Sequence, residues 1–191
     1  PPPAYAHVCP YIFRSADPSI QPESFGFLDT LGLKSIVLLS IEYPSKQLEV
    51  YCAKNHIEIH HFGIERRWPS PNNLECGSSA SSHLFFSSQE INSFSVLESI
   101  VKDALELLLD VRNHPVLVTD MYVHIGYFSA GIFETGTLLG CLRKIQGWNL
   151  SSILFEYRSF AGSLARSANE RFIEVRLHIL AYNFRCLTRI L

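Results

Sequence analysis

The chain has 191 residues, 47% of them hydrophobic and 18% charged, with a formal net charge of −2. Such a chain can bury one sizeable core, so intrinsic disorder is excluded, and without a Lys/Arg stripe there is no electrostatic basis for nucleic-acid binding. No apolar run approaches the ~20 residues that span a bilayer, the N-terminal PPPAYAHVCPY lacks the basic and apolar regions of a secretory signal, and the cysteines Cys9, Cys52, Cys76, Cys141 and Cys186 are scattered and odd in number, as for reduced thiols. The expectation is one domain over residues 1–191, cytoplasmic, with no membrane span and no nucleic-acid partner.

In chain order, PPPAYAHVCP is an extended lead-in and Tyr11 to Ser15 a first strand, β-branched and aromatic. Phe25 to Leu33 places Phe27, Leu28 and Leu31 on one helical face and stops at Gly32. Ser35 to Ser40, SIVLLS, is a continuous apolar run, as for a strand covered on both faces. A helix follows Pro44 with Leu48, Tyr51 and Cys52 inward, and Ile57 to Ile64 alternates as a strand. Glu65 to Ser95 has no clear periodicity, which is unusual inside a compact domain.

Order resumes with VLESIVKDALELLLDVRN, whose Leu97, Ile100, Val101, Ala104, Leu108 and Val111 form an amphipathic stripe. VLVTD is the next strand, and a helix beginning near Thr135 buries Leu138, Leu139, Leu142 and Ile145. Ser151 is the expected cap of a further helix burying Ile153, Leu154, Tyr157 and Phe160, and Ser167 with Glu170 forms a capping-box pattern. The tail from Val175 reads as a helix on the core. Strands alternate with helices early and helices cluster late, so the fold class is α/β with a central, mainly parallel sheet flanked by helices.

In such a sheet ligands sit beyond the carboxyl ends of the strands. VLVTD leads to that place, and a helix starting near Thr135 points free backbone N–H groups at it, an anion-binding arrangement. The loop nevertheless supplies Asp120 and Glu134, and no Cys, Arg or Lys. His60-His61 is too little for a metal site, and no metal or cofactor is expected.

The ordered blocks IFRS, FLDTLGLKSIVLLS-IEYP, HHFGIE, ALELLLDVRNHPVL, TGTLLGCLRK, SSILFEYRSFAG and ERFIE resemble the plant and fungal atypical dual-specificity phosphatases, including the fungal oxidant-induced cell-cycle arrest proteins. The resemblance runs from Tyr11 to about Glu174 and implies a cysteine-phosphatase-like fold. Active members carry His-Cys, five loop residues, then Arg-Thr-Gly, and hydrolyse phosphotyrosine or inositol pyrophosphates. The thiolate attacks phosphorus, its pKa lowered by the loop N–H groups, and the Arg forks onto the phosphate oxygens.

Carried onto this chain, the family's His falls on Thr119, its nucleophile on Asp120, its loop glycine on Gly131, its Arg on Glu134 and its Thr-Gly on Thr135-Gly136. Nucleophile and Arg are thus both replaced by carboxylates. Each would repel a phosphate by about 4 kcal/mol at ~4 Å and an effective dielectric of ~20. Catalytic residues are therefore expected to be absent, with Asp120 and Glu134 as degenerate positions. An aspartyl-phosphate route would need magnesium and further acidic ligands. Cys141, more than a turn into an apolar helix, reads as core. Glu134, in the first helical turn, is expected to fill the vacated anion site, a contact worth about 0.3–1 kcal/mol.

A general acid on a Trp-Pro loop is not evident, since Trp68-Pro69 is followed by Ser70; Arg66 and Arg67 beside it could draw an anion. Two stretches exceed the family pattern, residues 74–95 and 122–129, and the chain diverges after 174. They read either as inserted lids or as untranslated sequence carried into the chain. Without 122–129, the residues Asp120, Met121, Ala130, Gly131, Ile132, Phe133 and Glu134 recover the family's spacing. The leading expectation is a pseudophosphatase acting as a binding or scaffold module, with paralogous phosphatase-family proteins as partners by resemblance and an anionic ligand left open. The alternatives are an active phosphatase on phosphotyrosine or inositol pyrophosphate, and an unstable, mis-spliced product.

Overall fold

The computed structural model describes residues 1–63, 88–124 and 127–175. The expectations placed on Trp68-Pro69, on Arg66 and Arg67 and on the tail beyond 175 lie outside those residues, as does most of 74–95.

Six strands and six helices are described: β1 (Ala6–Cys9), β2 (Ile12–Ala16), α1 (Ser24–Leu28), β3 (Ser35–Leu38), α2 (Lys46–Asn55), β4 (Glu58–His61), α3 (Ser88–Leu109), β5 (Val116–His124), β6 (Tyr127–Ala130), α4 (Phe133–Ile145), α5 (Leu150–Ala161) and α6 (Ser167–Val175). The sheet order is β1-β2-β5-β3-β4, and β6 pairs with the far end of β5. The β2–β5, β5–β3 and β3–β4 pairs are parallel, and β1–β2 and β5–β6 antiparallel. The expected α/β class with a mainly parallel sheet flanked by helices is therefore what this chain adopts.

The central strands carry apolar residues on both faces because both faces are covered. One face sends Val37, Val116 and Val118 against Val101, Leu105, Leu138, Leu142, Ile153 and Ile173 from α3, α4, α5 and α6. The other sends Phe13, Ile36 and Leu117 against Leu28, Leu48 and Cys52. Period-two alternation thus sorts one strand between two cores.

Several expectations are corrected. The lead-in is partly a strand: β1 pairs back on β2, with Ala6 opposite Arg14. Residues 88–95, read as aperiodic, lie within α3. Val111 is 61% exposed, because Asp110 breaks α3 and caps a short 3-10 turn through its side chain. Ser45 caps α2 by accepting from Leu48 N–H at 3.2 Å. Asn149, not Ser151, caps α5 at 2.8 Å. Glu170 forms no capping-box bond; its carboxylate holds Arg158 at 2.7 and 2.6 Å. Helix α4 starts two residues earlier than Thr135 and its N-cap, Ile132, offers no side-chain acceptor.

Candidate functional site

The end of the parallel-paired part of β5, at Asp120, meets the N-terminus of α4 as the sequence implied, although β5 itself runs on to His124. Along β5, Val116 and Val118 face the core beneath α4, so Asp120 faces the same way one step beyond them. Residues 122–129 do not separate Asp120 from the helix. Residues 122–124 of β5 pair with residues 127–129 of β6 above a base of Met121 opposite Ala130, and the Gly131 N–H donates to the Asp120 backbone carbonyl at 3.1 Å. The chain leaves the loop and returns to it at one point.

Asp120 is fully buried. Its Oδ1 accepts from the backbone N–H groups of Gly131 and, at 3.3 Å, Ile132, and its Oδ2 accepts from Thr135 N–H at 2.8 Å. Asp120 is therefore a distant N-cap for α4, on donors that Ile132 cannot satisfy. The N–H cradle expected to hold an anion holds this carboxylate. Glu134, the residue expected to fill that place, does not. From the first helical turn it is stabilised by its own N–H and by Arg166, while its Oε2 is buried without a hydrogen-bond partner. The short side chain arriving from the strand below has the straight line to the donors; the helical one does not.

The two carboxyls titrate as a pair. Burial pushes Glu134 up to about 8, and the neighbouring Asp120 charge pushes the same way. Burial also raises Asp120, opposed by the N–H groups of Thr135 and Gly131 and by Arg14. Both carboxyls are thus pushed toward the protonated form, with the N–H donors and Arg14 resisting this at Asp120 and the Asp120 charge adding to it at Glu134.

Arg14 was not singled out from the sequence. It sits on β2 opposite Val118 and is 1% exposed. Its Nη2 donates to the Gly131 carbonyl at 2.6 Å, and its guanidinium lies 3.6 Å from the Phe160 ring centroid. Burial lowers its pKa to about 10, and Asp120 raises it. It supplies the positive charge beneath the loop; an Arg inside an otherwise apolar strand was the available signal.

The other expected positions frame the cradle. Gly131 has φ +73, and a Cβ there would meet the Ser15 and Ala16 backbone at 2.6 Å, so only glycine fits. Gly136 lets the Tyr157 ring approach to 2.8 Å of where its Cβ would be. Thr135 contributes its N–H, and Thr119 has a buried hydroxyl without a partner. Ser40 Oγ accepts from Met121 N–H at 2.7 Å and ties the end of β3 to the loop. Cys141 is fully buried in the core, and burial pushes its thiol up to about 12. It is no displaced nucleophile. Among the described residues no His, Cys, Asp or Glu cluster could hold a metal, and no helix is long and apolar enough to cross a membrane.

Comparison with known proteins agrees with this architecture. A family model described as "Tyrosine phosphatase family" matches residues 1–178. The chain is 38% identical over 177 residues to the inositol diphosphatase DSP4 of Arabidopsis thaliana, covering 92% of this chain and 72% of that protein. It is 35% identical over 176 residues to the putative tyrosine-protein phosphatase OCA1 of Mycosarcoma maydis, covering 92% and 91%. Among solved structures, the core catalytic domain of the PP-IP phosphatase SIW14 from S. cerevisiae, in complex with citrate, aligns with a TM-score of 0.67 at 28% identity, covering 97% of this chain and 94% of that one.

Proposed function

The chain belongs to the tyrosine phosphatase family, and from that premise we propose that it is a pseudophosphatase, a non-catalytic binding or scaffold module built on the family's fold. In this reading Asp120 stands at the nucleophile position, Glu134 at the phosphate-gripping arginine, and 122–129 is an insertion placed within the loop. The observation that carries it is the occupancy of the cradle. The N–H groups that would bind a phosphate and lower a thiolate pKa are bonded to Asp120.

Two further points support the reading. A carboxylate is a poor nucleophile toward a phosphate dianion without a metal to screen the charge. Glu134, neutral or negative, offers no forked donor for the transferring group. The relatives named inositol diphosphatases make an inositol pyrophosphate, beside phosphotyrosine, the substrate on which inactivity has to be tested. Paralogous members of the family are the partners we propose for the module, in the cytoplasm.

The test is turnover of a chromogenic phosphate ester, a phosphotyrosyl peptide and an inositol pyrophosphate by the purified chain. We expect release of phosphate at the background rate on all three. Release well above background that survives Asp120→Ala would overturn the reading and leave an enzyme with a different nucleophile. Capture of family paralogues from cells by the tagged chain would support the scaffold role; their absence would remove it.

A further inference from the structure

We propose that the groove between the start of α1 and the outer face of α2 is a docking site for an acidic, extended segment of another protein, with one apolar anchor between two acidic groups. The site is separate from the loop at Asp120 and independent of the pseudophosphatase reading.

Helix α2 buries only Leu48 and Cys52 in the domain. Its opposite stripe, Lys46, Val50 and Lys54, repeats every four residues and so lines up on one face. Val50 is 68% exposed. A β-branched residue gains nothing for the helix at such a position, and it packs against neither core cluster. It forms instead part of a shallow, open depression of about 470 Å³ whose lining includes Pro22, Phe25 and Tyr51, with Lys46 and Lys54 at its ends. The floor is preformed: Phe25 and Tyr51 stack with centroids 4.6 Å apart, and the Tyr51 hydroxyl is fixed on Asp29 at 2.9 Å. A ligand would find the apolar surface already ordered.

Charge selects the occupant. Neither Lys46 nor Lys54 makes an ion pair among the described residues. Of the carboxylates nearby in sequence, Asp29 is engaged by Tyr51, and Glu23 and Glu49 line no wall of the groove. Eight residues of helix separate the lysine backbones by about 12 Å. An extended chain covers that distance in about four residues. The complement is an acidic residue, an apolar side chain two positions later and a second acidic residue two beyond that. Two isolated cations around a pocket fit discrete side chains; an anionic bilayer calls for a broad basic cluster, which a chain of net charge −2 does not present here.

The probe is a fluorescein-labelled nine-residue peptide of serines carrying glutamates at its third and seventh positions and phenylalanine at its fifth, followed by anisotropy on the intact chain. We expect saturable binding that weakens as salt is raised, falls about ten-fold in Lys46→Glu/Lys54→Glu, and falls comparably in Val50→Glu. The same peptide with lysines for glutamates, or alanine for phenylalanine, should bind much more weakly. Both variants change exposed side chains, and circular dichroism checks their fold. No binding of the acidic peptide would overturn the proposal, as would binding unchanged in the lysine variant. Capture by phosphatidylserine vesicles without peptide binding would assign the face to a membrane surface and overturn it equally.

Discussion

At the scale of single residues, the governing fact is that Asp120 is ligand and wall at once. Its carboxylate meets three backbone donors and balances the buried Arg14 charge. Asp120→Ala therefore has two opposed consequences. It leaves the helix N-terminus and Arg14 uncompensated, at a cost of about 3–5 kcal/mol in stability. It also returns the cradle to solvent anions. Inorganic phosphate should raise the melting temperature of Asp120→Ala and leave that of the unaltered chain unmoved; equal shifts in both would mean that Asp120 does not occupy the anion site.

Glu134 gives the second prediction at this scale. Its folded pKa of about 8 lies above the ordinary 4.5, so the unfolded chain releases this proton first as pH rises. The stabilisation is fully present below the ordinary value and is lost progressively until pH passes the folded one, at about 1.4 kcal/mol per unit of displacement. Urea unfolding between pH 5 and 9 should show stability falling by a few kcal/mol, with the slope reduced in Glu134→Gln, whose amide replaces the protonated acid. A parallel slope in both proteins would count against a proton on Glu134. The sequence placed both acids at the loop but expected Glu134, not Asp120, to meet its N–H groups. Which of them reaches the donors depends on the angle at which β5 arrives, and residue spacing carries no such angle.

At the scale of elements, the loop is held by close backbone approach. Gly131 crosses the end of β2 so tightly that a Cβ would strike the Ser15 and Ala16 backbone, and its φ of +73 is itself unfavourable for any other residue. Gly131→Ala should therefore destabilise the chain by at least about 2 kcal/mol, seen as a lowered urea midpoint; a loss below a few tenths would mean that the loop rides higher above β2. The glycine was readable as a loop position, but its reason was not, since that reason is the neighbouring strand. The same division holds elsewhere. Strong apolar runs named β3 and α4, because burial on both faces leaves no other pattern. Strand β1 was missed, because Ala6–Cys9 alternates weakly and is a strand only by pairing with β2. The cap of α5 went to Asn149 rather than Ser151, since either can cap and only the start of the helix decides.

At the scale of the whole molecule, the proposed reading separates fold from chemistry. The sheet architecture is shared with the solved phosphatase relative, and in the proposed reading the loop's side chains and the β5–β6 hairpin are where the chemistry is lost. The hairpin's base brings Met121 opposite Ala130. Paired Cα atoms across antiparallel strands are about 4.5–5.5 Å apart, against 3.8 Å for neighbours in a chain. Joining Met121 directly to Ala130 thus asks for a movement of about 1 Å. Deletion of residues 122–129 should give a folded chain with Asp120 still in the cradle, its circular dichroism unchanged and its pH slope retained. In that shortened background, Asp120→Cys with Glu134→Arg places a thiolate among the same N–H groups and a forked donor at the first helical turn. Burst release from a chromogenic phosphate ester, absent from either single substitution, is the expected result. Activity should fall when the thiol is alkylated, while Cys141 stays unmodified in its sealed core. A folded, shortened double variant that neither binds phosphate nor turns over would mean that the cradle has drifted from the phosphatase geometry, and that Asp120 has become part of the architecture rather than a plug within it.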